Sequence, residues 1–170
     1  MTAAAWAVVA TGVAAVGFDL ATRRVPNALT FGTAGAALVF AFAMQGWSGL
    51  GWALAGWAVG CALFLPWFLL GGMGAGDVKL LAGLGAWLGP MGALWAALLA
   101  GVIGGPLALV VAAWSGYLKQ SFTNLWGLLT FWRVMGIRPL PDLTLRTARG
   151  PRLPYAVPIA VGAGLTLWLR

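Results

Sequence analysis

Histidine and glutamate are absent from this chain, cysteine occurs once, and there are only three acidic residues, Asp19, Asp77 and Asp142. Each shortage removes a chemistry. Without histidine there is no Ser-His-Asp or Cys-His arrangement, no HExxH zinc site and no histidine-rich metal cluster. The single thiol, Cys61, cannot form a disulfide within the chain, and its apolar setting fits a buried, inert cysteine. Charge of either sign is scarce as well, at 8% of 170 residues against 62% hydrophobic, with a mean hydropathy of +0.94. So few polar side chains cannot cover a surface in water, and lipid must be part of the solvent. No polar block is long enough to fold alone, so residues 1–170 read as a single all-α membrane-embedded domain.

What charge there is sums to +7. A nucleic-acid groove would need a water-exposed basic surface with interleaved aromatics, which this composition does not offer. Topology explains the charge better. Residues 3–18 form a first apolar span with Arg23 and Arg24 behind it, the reverse of a cleaved signal peptide. Residues 28–44 return to the outside at a turn over 45–49, and a third span over about 50–70 comes back and stops at Gly71-Gly72. From Lys79 to Lys119 the apolar run breaks at Gly89-Pro90, and the twelve residues 78–89 give only about 18 Å of helix. Two short passes hinged near Pro90 fit, the second bent at Gly104-Gly105-Pro106. Residues 155–169 make the last span.

About six transmembrane helices follow, with both termini outside. Arg23, Arg24, Lys79, Lys119, Arg133, Arg138, Arg146, Arg149 and Arg152 fall inside and only Arg170 outside, in agreement with the positive-inside rule. The segment 115–152 becomes a cytoplasmic loop, in which Leu118, Phe122, Leu125, Leu129 and Trp132 recur at helical spacing. That stripe fits a helix lying on the membrane surface, or equally a core stripe packed on the spans.

The same arrangement brings Asp19 and Asp77 to the inner edge of the membrane, where a carboxylate is costly and calls for a functional reading. Each also has a structural one. Asp19 precedes Arg23 at the spacing of a helical ion pair, and Asp77 precedes an apolar helix as an N-cap residue would. Asp77 ends the run Gly74-Ala75-Gly76-Asp77, and with 26 glycines and 3 acids chance yields that spacing ~0.07 times. The glycines let a substrate backbone approach the carboxylate, or else serve close helix packing. Lys79, two residues on, should point away from Asp77 and snorkel to headgroups.

These residues resemble the type IV prepilin peptidases, a family of membrane aspartic peptidases. The stretch from Asp19 through Arg23, Arg24 and Val25 to Pro26 and Asn27 resembles the family's first aspartate motif, and Gly74-Ala75-Gly76-Asp77-Val78-Lys79 its GxGD motif. Leu153-Pro154-Tyr155-Ala156 and the small-residue span behind it are similar to the C-terminal segment of the short forms that serve Flp or Tad pili. The resemblance implies a catalytic pair, Asp19 and Asp77, with Gly74, Gly76, Lys79, Pro26 and Asn27 shaping the site or binding substrate. It also implies a bacterial inner-membrane location, a site facing the cytoplasm, and a prepilin or pseudopilin substrate whose basic leader is removed there. Longer members carry an N-terminal cysteine tetrad associated with N-methylation. Only Cys61 stands here, so proteolysis without methyl transfer is expected.

Two adjacent carboxylates do not both ionise readily, which leaves one to activate water and the other to donate a proton, with no metal or cofactor needed. The basic inner loops would repel a basic leader, so they are read as orientation signals and contacts to anionic lipids, with no nucleic-acid partner. Two other classes compete. A small proton-coupled transporter would place its acids near the bilayer midplane. A Ser-Lys peptidase would use Ser115 and Lys119, on the strength of their i to i+4 spacing alone.

Overall fold

The computed structural model describes residues 2–136, 138 and 153–169. Asp142, Arg146, Arg149, Arg152 and Arg170 of the charge pattern lie outside the described residues, as does most of the 115–152 loop beyond Gly136. The elements are α1 (Ala3–Thr22), α2 (Asn27–Leu69), α3 (Ala75–Trp114), α4 (Leu118–Met135) and α5 (Ala156–Trp168). Three of them, α1, α2 and α3, are long and apolar enough to cross a membrane.

If straight, the 43 residues of α2 would reach about 65 Å and the 40 of α3 about 60 Å, twice a hydrocarbon core. Neither is straight. Gly46 (φ 63°, ψ −144°) and Gly89 (φ 67°, ψ 178°) leave the helical region, in conformations that only glycine adopts without strain. The chain turns back at both. A Cβ on Gly49 would strike the Ala41 carbonyl, and one on Gly85 would come 3.0 Å from the Ala93 Cβ. Residues eight apart on a straight helix would be about 12 Å from each other. Each long helix is therefore a hairpin of two legs, 27–45 with 47–69 and 75–88 with 90–114. The reversals fall where the Gln45–Gly49 and Gly89-Pro90 breaks are read from the sequence. Through the bend expected at Gly104-Gly105-Pro106 the backbone stays helical, from Pro90 to Trp114.

The first leg of α3 is the centre of the bundle, with Leu80, Leu81, Leu84 and Leu88 essentially inaccessible. Backbone meets backbone on its α2 side. A Cβ on Gly56 would collide with the Gly85 carbonyl, and one on Gly60 would lie 2.6 Å from the Leu81 carbonyl. On the other side the first leg of α2 runs alongside, and Thr33 accepts a hydrogen bond from the Trp87 indole at 3.0 Å while pairing with Thr11 of α1, also at 3.0 Å. Those bonds satisfy polar groups that lipid would leave bare. Between α1 and the second leg of α3 lies α5, where Gly12 faces Ala160 and Gly162 sits against Ala96 and Ala100.

Following these contacts, the bundle has two poles. One gathers the end of α1, both ends of the α2 hairpin, the start of α3 and the start of α5, and it holds Asp19, Arg23, Arg24, Asp77 and Lys79. The other holds the Gly46 and Gly89 turns, with Thr2 and Ala5 in a groove beside Leu88 and Trp168. α4 leaves the first pole and buries no residue, with Phe122 at 61% and Trp126 at 75% exposed. The reading of its stripe as core packed on the spans is therefore not realised. Ser115 caps α3 and donates to the Val111 carbonyl at 2.7 Å, while Lys119 belongs to α4 beyond a turn at Gly116 (φ 68°). The two do not share the helix that a Ser-Lys pair requires.

Candidate active site

Asp19 lies within α1, which continues to Thr22, past the expected end at residue 18. Its side chain is only 7% exposed. Arg23 stands beyond the helix in the left-handed conformation (φ 55°), and its amide donates to the Asp19 carbonyl at 2.9 Å as the C-cap. From 137 residues away the buried Ala156 amide at the start of α5 donates to Asp19 Oδ2 at 3.2 Å.

Asp77 is not the N-cap of α3, as expected, but its third residue. Gly74 takes the cap position, and the Gly74 amide donates to Asp77 Oδ2 at 3.3 Å. This is the carboxylate half of a capping box, one turn deeper than the sequence reading placed it. The glycines bring the turn close to its neighbours. A Cβ on Gly74 would sit 3.1 Å from Asp77 Oδ2, and one on Gly76 3.4 Å from the Val25 side chain in the segment joining α1 to α2.

Pro26 caps α2 with φ −62° and ψ 140°, and Asn27 is its first residue. Lys79, expected to snorkel to headgroups, has partners within the protein. Its ammonium donates to Asn27 Oδ1 at 3.0 Å and lies 5.2 Å from the centre of the Phe31 ring. The lysine thus braces the start of α3 against the start of α2, which the local spacing of the motif could not reveal.

A cavity of about 580 Å³ opens at this pole, lined by Asp19, Asp77, Pro26, Asn27, Gly74 and Gly76 among others. Lys79 stands behind its wall. The two carboxylates come from helices more than fifty residues apart and are near enough that the Asp19 charge acts on Asp77. Both are at helix ends, which is not where a transporter's midplane acids would sit. Sequence reasoning missed two contributors, the Ala156 amide and Tyr155, which also lines the cavity. Their signal was a polar aromatic residue placed directly before the last apolar span.

An all-helical, multi-pass membrane protein with two carboxylates in one cavity at a pole of its bundle has the architecture of a membrane aspartic peptidase. The profile of the type IV leader peptidase family matches residues 6–109, a stretch of 104 residues out of 170 that contains both aspartates, and the chain belongs to that family. It is an aspartic-type prepilin peptidase, and its substrates are prepilins whose leader it removes. Neither a curated protein nor a solved structure matches the chain.

Proposed function

We propose that Asp19 and Asp77 are the catalytic pair, and that the domain cleaves the leader from Flp- or Tad-type prepilins or pseudopilins at the cytoplasmic face of the bacterial inner membrane. The observation that carries this reading is that both carboxylates line one cavity at the pole where Arg23, Arg24 and Lys79 also gather. The ionised aspartate takes a proton from water, which attacks the scissile carbonyl. The protonated one donates toward the carbonyl oxygen and then to the leaving amine. Gly74, Gly76, Pro26 and Asn27 shape the wall against which the substrate backbone lies, and Lys79 holds Asn27 in place. Cleavage alone is assigned to these 170 residues, whose one cysteine cannot supply a tetrad.

In this reading the six helical legs each cross the bilayer, with the cavity pole inside and the Thr2 and Trp168 ends outside. The first leg of α3, about 21 Å long, is short for a full crossing and is surrounded by the other legs. Residues 1–170 form one peptidase domain, and α4 lies on the inner surface with its apolar face in lipid and Lys119 and Arg133 near anionic headgroups.

Co-expression with a candidate prepilin tests the catalytic assignment. Asp19→Asn and Asp77→Asn should each leave the pilin at its precursor size on a gel. Normal trimming by either variant would overturn the pair.

A further inference from the structure

Tyr155 belongs to neither aspartate motif and lies outside the residues the family profile matches, yet it lines the cavity with both carboxylates. We propose that its hydroxyl is a third catalytic group, which donates a hydrogen bond to the scissile carbonyl oxygen as the carbon becomes tetrahedral. The proposal rests on the aspartate pair as the site of chemistry.

The tyrosine is held from three directions. Its ring meets Phe64 edge-on, with centroids 6.1 Å apart and planes at 69°. Beneath it Gly104 offers bare backbone, where an added Cβ would come within 3.1 Å of the hydroxyl. The next residue, Ala156, is tied through its amide to Asp19. The Tyr155 backbone is therefore indexed to one aspartate, and its side chain lines the same cavity as the other. Such fixed placement is what a pre-organised donor needs, because it costs no reorganisation when charge develops.

The hydroxyl is also uncommitted. Among the described residues nothing accepts a hydrogen bond from it, and none of their buried side-chain nitrogen or oxygen atoms lacks a partner. The phenolic oxygen is therefore not fully buried, on a side chain that lines the cavity. The ring contact to Phe64 needs no oxygen, whereas the hydroxyl is the atom nearest a Cβ added at Gly104. On the same wall Asn27 accepts from Lys79 through its carbonyl oxygen, which leaves its amide nitrogen as a second neutral donor. No bond to the phenol breaks in the step. Its proton stays on the phenolic oxygen, while the transferred protons move among water, the aspartates and the departing amine.

The test is Tyr155→Phe in the full chain, purified in detergent and assayed on a synthetic peptide with a basic leader and an apolar segment. kcat should fall about 10²-fold while KM and the thermal melting point hold, as for loss of one oxyanion donor. Placing 4-aminophenylalanine at position 155, which restores a donor on the ring, should recover part of kcat. The proposal is overturned if Tyr155→Phe keeps its kcat, or if the loss appears in KM alone. It is equally overturned if melting falls and the amino variant is no better than phenylalanine. Asp19→Asn and Asp77→Asn run beside it. If they still cleave, the catalytic pair is wrong, whereas inactive aspartate variants with an active Tyr155→Phe would refute the tyrosine alone.

Discussion

The seam between α2 and α3 and the cavity at the charged pole are both built on glycine, and they use it in opposite ways. Along the seam Gly56, Gly60 and Gly85 have a backbone neighbour where a side chain would be, so their bareness is filled by the facing helix. At the cavity Gly74 and Gly76 are met only by Asp77 and Val25, beside about 580 Å³ of open volume. In lipid there is little hydrophobic force to press helices together, so close backbone contact supplies the attraction. The first region spends its glycines on rigidity, and the second leaves room for a peptide next to two carboxylates. A rigid seam is what lets a polar cavity stay open at the end of so apolar a bundle.

That contrast can be broken from either side. The largest effect on activity should come from the cavity, where Asp19→Asn or Asp77→Asn lowers cleavage by roughly 10²–10⁴-fold with no change in melting. Retained folding, read by tryptophan fluorescence during heating, is part of the expectation. At the seam the signs exchange. Gly85→Val, whose side chain would run into the Gly56 backbone, should lower stability by about 1–3 kcal/mol or more and reduce the yield of folded protein. If that variant folds as well as the parent, the seam is not close-packed as described.

The brace between the two motifs should give a smaller change. Lys79→Met removes the ammonium that Asn27 accepts from, at a partly exposed position, so a loss of about 1 kcal/mol is expected. In a double-mutant cycle with Asn27→Ala the two losses should fail to add. Additive losses would mean that the contact contributes nothing. The smallest effect belongs to a glycine with neither job. Gly17, in α1, has nothing within 4 Å of an added Cβ, and Gly17→Ala should raise stability by about 0.5–1 kcal/mol and leave cleavage alone. A destabilised Gly17→Ala would show that α1 has a close neighbour there.

Much of this was legible because membrane helices follow apolar length and glycine punctuation. The Gln45–Gly49 and Gly89-Pro90 breaks are where α2 and α3 reverse, and Asp19 and Asp77 fall at one pole. Three local readings fell short of the structure. Asp77 was placed at the N-cap because its neighbours in sequence allowed it, but the helix starts a turn earlier, at Gly74. Lys79 was sent to headgroups because its partner Asn27 is 52 residues away. Asp19 was matched with Arg23, four residues on, and its carboxylate also accepts from the Ala156 amide. For Lys79 and Asp19 a local reading missed a distant partner, while for Asp77 it misplaced the start of the helix.

By itself the sequence determined the solvent, the helical class, the points of reversal and the two carboxylates, because composition and periodicity act over short stretches of chain. Only the tertiary structure decided that those carboxylates share a cavity, that the start of α5 brings an amide to one of them and Tyr155 to the cavity wall, and that α4 stands apart from the bundle. Those outcomes depend on helices packing backbone to backbone, and the register of such contacts is set by three-dimensional fit, which no single segment encodes.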